Sequence, residues 1–366
     1  MNTKHALLIN YTANSYHWGC YGTSVEIFRT LTEKGYLVET VGVADIAELN
    51  LYNFNHEGIE DGKLFIKILQ KNERLFRLVM ATDLIIVNGE GSIHGFGKAP
   101  LNLLYLIFIL KNYLNKKVHL INSAIFPNSI PDAALDQNSA KLVDSLYQTT
   151  LKGLDLIVPR DQKSALNLQG LNLSFVQGFD CLPRFIARQN LVNSASRNHG
   201  YLISGGIALS KKQIKILAEL LKPKIDLSKP IYFLSGAKSL PVDSDKTQFE
   251  QLREHLPQIE WLYANSMQEW LVYIARAECL ISGRFHHTMA AATLGTPFLA
   301  LSSNTPKIQA ALEMLDLSDS LIELGAETGD DHADYAISTL LHHPSVVRIE
   351  KIQEVIELAA NNFNAI

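Results

Sequence analysis

The segment Ser282-Gly283-Arg284-Phe285-His286-His287-Thr288 is the densest group of chemically capable side chains in the sequence. It follows an apolar run, Cys279 to Ile281, and precedes a small-residue stretch around Ala290, Ala291 and Ala292. An arginine grips a planar or tetrahedral anion with parallel hydrogen bonds, and an imidazole can donate or shuttle a proton near neutral pH. Arg284 and His286 alternate across Phe285, so an extended turn points both the same way. A helix starting just beyond adds positive potential, and Gly283 permits a tight exit from the strand. The pattern predicts an anion site with a proton donor, His286. A metal site needs a third convergent ligand, and none stands at recognisable spacing. His287 reads more simply as a packed histidine. Further on, Ser302-Ser303-Asn304-Thr305-Pro306-Lys307 follows another apolar run. Ser303 and Lys307 become candidates for the same anion, although lysines are ordinarily exposed.

Two groups in the first half have related chemistry. Asn88-Gly89-Glu90-Gly91-Ser92 leaves the apolar run Leu84 to Val87. Gly89 and Gly91 let the backbone approach a ligand, and the N–H groups there can receive an anion or a sugar hydroxyl. The spacing matches neither the dinucleotide fingerprint nor a Walker loop, and a plain tight turn fits equally well. Asn88, Glu90 and Ser92 stand as candidates beside the glycines. Val158-Pro159-Arg160-Asp161 places a charged pair just past a third apolar run. Asp161 is suited to cap a following helix, with Ser164 three residues on. Arg160 is either an anion-binding residue at a strand end or an ordinary surface arginine.

These groups need rigid elements to hold them. Short runs apolar on both faces alternate with amphipathic stretches through the whole chain, the pattern of a parallel sheet covered by helices. Strands are expected at Ala6 to Ile9, Leu37 to Val43, Leu84 to Val87, Val118 to Ile121 and Leu156 to Val158. After the polar stretch Arg188 to Gly200 the rhythm restarts, with strands at Tyr201 to Ile203, Ile231 to Leu234, Ile259 to Leu262, Cys279 to Ile281 and Phe298 to Leu301. His17 to Ser24 reads as a glycine-bearing loop before a helix from Val25 to Thr32, and Asn50 to Asp61 as a surface excursion. The expected fold class is α/β, with two Rossmann-like lobes facing a cleft. Residues 1–187 form the first lobe and 200–345 the second. Residues 346–366 form a tail helix that packs back on the first lobe.

The 366 residues are 47% apolar and 19% charged, which excludes a disordered or low-complexity chain. The net charge of −4 gives no bulk attraction to nucleic acid. The 3 cysteines, Cys20, Cys181 and Cys279, lie far apart and form neither a disulfide framework nor a zinc pattern. The longest apolar run, Leu103 to Leu110, is far short of the roughly 20 residues of a membrane span. A cytoplasmic protein is expected, either free or peripheral at the inner face of the membrane.

With these residues in place, the sequence resembles the polysaccharide pyruvyl transferase family from Leu7 to about Leu315. The strongest segment runs from Ile281-Ser282-Gly283-Arg284-Phe285-His286 through Gly295-Thr296-Pro297 to Lys307. Ile86 to Ser92 and Pro159-Arg160-Asp161 with Ser164 support it. The resemblance implies a GT-B-like fold and transfer of a pyruvyl group from phosphoenolpyruvate to cell-surface sugars. It assigns Arg160, Arg284 and Lys307 to the donor's phosphate and carboxylate, and the proton to His286. Two segments depart from the family. The first loop, often Asn-x-Gly-Asp, reads His17-Trp18-Gly19-Cys20 with no acid, and the frequent triple glycine reads Gly89-Glu90-Gly91.

Pyruvyl transfer is an addition followed by an elimination. It needs a cationic cradle, an acid and a base; Glu90 is the candidate base. No cofactor or metal is implied. The acceptor is a saccharide or lipid-linked saccharide. A nucleotide sugar as donor, in a glycosyltransferase, is the alternative, and a non-catalytic sugar-binding protein is a third reading.

Overall fold

The computed structural model describes residues 4–14, 17–53, 62–128, 136–189, 197–206, 209–236, 243–303, 305–325, 330–343 and 345–366. Parts of the expected linker and of the expected surface excursion, residues 190–196 and 54–61, lie outside the described residues. The chain divides into two compact units. One comprises Met1–Asn14, Ser24–Cys181 and Glu357–Ile366, the other Ser15–Thr23 and Leu182–Ile356.

The first unit is built on a five-stranded parallel sheet of β1 (Lys4–Tyr11), β2 (Tyr36–Gly42), β3 (Leu84–His94), β4 (Val118–Phe126) and β5 (Leu156–Pro159). The order is β2-β1-β3-β4-β5, with β1 pairing to β3 across a crossover. The inner strands are apolar on both faces because helices cover both. The helix Lys98–Asn112 shows this most clearly: Leu103, Leu104, Leu106, Ile107, Ile109 and Leu110 are all buried in the same core as Ile85, Val87 and Leu120. Burial of each such side chain stabilises the unit by about 1.5–3 kcal/mol.

β3 is longer than the sequence pattern predicts. The segment Asn88 to Ser92, expected as a loop, continues the strand. It stays paired to β4, with Asn88 opposite Ile121, Glu90 opposite Ser123 and Ile93 opposite Ile125. The register shifts between Glu90 and Ile93, so the strand bulges instead of ending. The amphipathic stretch Phe65 to Met80 is divided between two helices, Gly62–Lys71 and Glu73–Ala81. Asn72 breaks it by accepting a capping bond from Leu75 N.

The second unit holds a six-stranded parallel sheet of β6 (Tyr201–Gly206), β7 (Ile231–Leu234), β8 (Ile259–Leu262), β9 (Cys279–Gly283), β10 (Phe298–Leu301) and β11 (Leu321–Ile322). Its order is β11-β10-β9-β6-β7-β8, again with a crossover beside its central strands. Two helices start earlier than expected. His17 to Ser24 is not a loop: a helix runs from Trp18 to Glu33. Its glycines serve packing. A Cβ on Gly19 would stand 2.1 Å from His286 Cβ, and one on Gly22 would stand 2.7 Å from Leu182. The helix after β9 spans Phe285–Leu294, with Arg284 in extended conformation as its N-cap. The Arg284–His286 segment is therefore a cap and a first helical turn, not an extended turn. The short helix Leu182–Ala187 packs on Phe285–Leu294, so the first unit ends at Cys181. The tail helix is Ile349–Ala360; Glu357 onward belongs to the first unit, where Asn362 Oδ1 accepts from Asn122 N.

Candidate functional site

Both sheets gather polar side chains at the C-terminal ends of their strands, where parallel α/β folds place their ligand-binding residues. In the first unit three neighbouring strands bend there. Asn10, Glu90 and Asn122 have φ of 62°, 42° and 53°, each at a register shift in its strand. Asparagine tolerates the left-handed region; glutamate does so at a cost of roughly 1 kcal/mol. Gly89 at the same level allows a close approach, since a Cβ there would stand 2.1 Å from Ser123 Oγ.

These residues bind one another. Asn10 Nδ2 donates to Asn88 O (2.6 Å) and Ser92 Oγ (3.0 Å). Asn122 Nδ2 donates to Asn88 Oδ1 at 2.9 Å, and Asn88 Nδ2 to Ser24 Oγ at 3.2 Å. Thr12 Oγ1 bonds both Ser24 Oγ (2.7 Å) and Glu90 Oε2 (3.0 Å). Arg160 sits beside this group. Its N–H donates to Ser123 O, and its guanidinium lies 3.9 Å from where a Gly91 Cβ would be. Nη1 of Arg160 binds Asp180 Oδ2 at 3.0 Å, with the two side chains 2% and 0% exposed. Arg160 is thus neither a surface residue nor an unengaged cation. Asp161 caps its helix as expected, accepting from Ser164 N at 2.8 Å; burial pushes its carboxyl up.

In the second unit a serine pair opens the site: Ser204 Oγ donates to Ser282 Oγ at 2.6 Å, and Ser282 Oγ accepts from Arg284 N at 3.0 Å. Gly283 brings β9 against β6, because a Cβ on it would stand 2.9 Å from the Gly206 Cα. The Arg284 guanidinium donates from Nε to Ser204 O and binds the buried Asp245 through Nη2. Asp245 in turn accepts from Gly236 N at 3.0 Å. Burial lowers the Arg284 guanidinium to about 10.

Three histidines surround this ion pair. His286 lies in the first turn of its helix, and its Nδ1 is 3.8 Å from Cys20 Sγ. His287 is buried, with its ring 5.1 Å from that of Trp270, as a packed histidine should be. Burial, then Arg284, push its pKa well below the ordinary value. Neither ring nitrogen of His287 has a hydrogen-bond partner among the described residues. His17 Nδ1 and His287 Nε2 both border Gly236, 3.1 and 3.4 Å from its Cβ position. Burial, with Arg284 second, holds His17 at about 4.

The structure therefore gathers Asn88, Gly89, Glu90, Gly91, Ser92 and Arg160 at the strand ends of the first unit. Gly283, Arg284 and His286 form the group in the second. Lys307 starts the helix Lys307–Met314, with Ser303 in the segment before it. Sequence reasoning missed His17, Asp180, Asp245, Asn10 and Asn122. The asparagines had a signal, since Asn at the end of an apolar run is suited to left-handed backbone. The two aspartates had none, because their partners lie 20 and 39 positions away.

Sucrose-phosphate synthase from Thermosynechococcus elongatus superposes with a TM-score of 0.58 at 11% identity, covering 99% of this chain and 97% of that one. A putative UDP-N-acetylglucosamine 2-epimerase from Listeria monocytogenes gives 0.55 at 8%, covering 99% and 94%. A Glycyrrhiza uralensis protein crystallised with glycyrrhetinic acid 3-O-monoglucuronide gives 0.53 at 9%, covering 99% and 90%. At such identities the likeness is one of fold: α/β, two parallel-sheet domains, of the GT-B glycosyltransferase kind. No curated protein sequence matches the chain. The family model described as polysaccharide pyruvyl transferase matches residues 27–305, and by that match the chain belongs to the polysaccharide pyruvyl transferase family.

Proposed function

We propose that the protein transfers a pyruvyl group from phosphoenolpyruvate to a pair of hydroxyls on a sugar of a cell-surface polysaccharide or its precursor. The observation that carries this reading is the second unit's group of Arg284, His286 and His17 at the ends of β6, β7 and β9, in a chain of this family. Arg284 and Lys307 hold the donor phosphate and carboxylate, with Ser303 and the Gly283 backbone as hydrogen-bonding groups. His286 protonates C3 of the donor, giving C2 oxocarbenium character. One sugar oxygen bonds to C2, the C2–O bond to phosphate breaks, and the second sugar oxygen closes the ketal. Of the two hydroxyl protons released, one replaces the proton given to C3 and the other leaves with phosphate. Glu90 accepts the hydroxyl proton on the acceptor side. Ser92 and the Gly91 backbone support it there, while Asn88, Gly89 and Arg160 hold the strand end in shape. Among the described residues no helix is long and apolar enough to cross a membrane. A location in the cytoplasm or at the inner membrane face belongs to the same proposal.

The test is a thermal-shift panel of phosphoenolpyruvate and nucleotide sugars, followed by phosphate release with a saccharide acceptor. A donor at 100 times its Kd stabilises the folded chain by about 2.7 kcal/mol. Phosphoenolpyruvate should give the shift and nucleotide sugars none. The opposite result favours a nucleotide-sugar glycosyltransferase. A response only to free saccharides favours a non-catalytic binding protein.

A further inference from the structure

Cys20 takes no part in the reaction above, yet its surroundings are chemically specific. It lies half-buried in the first turn of the helix Trp18–Glu33, at the positive end of the helix dipole. Gly19 lets His286 press directly onto that turn, and His286 Nδ1 stands 3.8 Å from the sulfur. Ionisation of Cys20 opposes the effect of burial on the Arg284 guanidinium. His17 and His287 stand near the same Arg284, whose carboxylate partner in this unit is Asp245. A thiol beside an imidazole, an arginine and a helix N-terminus gives up its proton readily. Cys181 and Cys279 lack this setting. Both are buried, and burial pushes the Cys279 thiol up to about 12.

We propose that Cys20 is a reactive thiol, activated by His286, that forms a mixed disulfide with small disulfides such as oxidised glutathione. His286 Nδ1 takes the thiol proton and the Cys20 sulfur attacks one sulfur of the disulfide. The new S–S bond forms as the old one breaks, and the departing glutathione thiolate takes the proton. The Cys20 sulfur is oxidised and the leaving sulfur reduced. The adduct then occupies the space next to His286 and Arg284 and stops turnover. This last consequence rests on the donor reading; the reactivity of the thiol does not.

The experiment is timed labelling of the whole protein with iodoacetamide at pH 7, read residue by residue by mass spectrometry. Cys20 should react about threefold or more faster than free N-acetylcysteine, the gain left after a more ionised sulfur loses some nucleophilicity. Cys181 and Cys279 should stay unlabelled over the same interval. His286→Gln, checked for a native melting curve, should slow Cys20 about threefold or more. A wild-type Cys20 no faster than the free thiol overturns the proposal, whether or not the variant folds. So does a folded His286→Gln that labels at the wild-type rate. With oxidised glutathione in place of iodoacetamide, the mass should rise at Cys20 and fall back with dithiothreitol; no adduct there overturns the disulfide step. Labelling that leaves phosphate release intact contradicts the donor placement alone.

Discussion

Each sheet ends in a buried arginine bound to a buried aspartate: Arg160 with Asp180 after β5, and Arg284 with Asp245 after β9. The company of the two pairs differs. Around Arg160 stand carboxamides and hydroxyls, Asn10, Asn88, Asn122, Ser24 and Thr12, tied together by mutual hydrogen bonds. Around Arg284 stand imidazoles. One of them, His287, keeps both buried ring nitrogens without a hydrogen-bond partner among the described residues, and burial depresses both His17 and His287. A network whose bonds are made internally fixes a shape. Imidazole nitrogens left without a partner beside a guanidinium retain capacity for a ligand. On our proposal the first pair therefore supports architecture beside the base Glu90, and the second stands among the groups that hold the donor.

The largest effect that should follow concerns the first pair. Asp180→Ala leaves Arg160 buried without its counter-charge, and the expected loss is about 3–5 kcal/mol of unfolding free energy in urea melts. A loss below about 1 kcal/mol would mean that the pair has little structural weight.

Next comes the division of labour between the adjacent histidines. His286→Gln is expected to keep the melting temperature and lower turnover about 10²-fold, the low end for a general acid. His287→Gln should do the opposite, costing stability through its packing on Trp270 and turnover much less. Steady-state assays of both variants with the same donor and acceptor decide the matter. If His287→Gln is the inactive one, the proton belongs to the other ring.

A smaller effect, on the pH dependence of stability, is common to both units. His119 on β4 is buried, and burial holds it at about 4, as with His17 in the second unit. Their folded pKa values lie below the unfolded value near 6.5, so the unfolded chain binds more protons between those limits. Stability is therefore full above about pH 6.5 and declines as the pH falls toward 4. His119→Leu should flatten part of that decline, by about 2 kcal/mol or less between pH 7 and 4.5. Urea melts at the two pH values measure it, and an unchanged slope would show that His119 is not protonated on unfolding.

Much of this was legible in the sequence, for identifiable reasons. β10 begins and ends where the apolar run Phe298 to Leu301 does, because a strand buried on both faces leaves a sharp hydrophobic boundary. The helix Lys211–Leu221 carries a local start signal of the same kind, a capping box of Ser210 and Gln213. The glycine-bearing stretches misled. Gly19 and Gly22 read as loop residues but are the small faces of a helix, and Gly89 and Gly91 read as a turn inside what is a bulged strand. Glycine marks close approach as well as turning, and only the partner, His286 or Ser123, tells the two apart. Arg160 and Arg284 were found by residue type and position. Their neutralising aspartates were not, because a buried ion pair leaves no local pattern.

Whether the second unit holds the donor is tested most directly by calorimetry of phosphoenolpyruvate binding to Lys307→Ala and Glu90→Gln, each paired with a turnover assay. Lys307→Ala should weaken binding about tenfold or more, the loss of one charge-assisted contact of about 1.5–3 kcal/mol. Glu90→Gln should leave affinity within about twofold of the wild type while lowering turnover. Weakened binding in Glu90→Gln together with unchanged binding in Lys307→Ala would contradict the assignment and move the donor to the first unit.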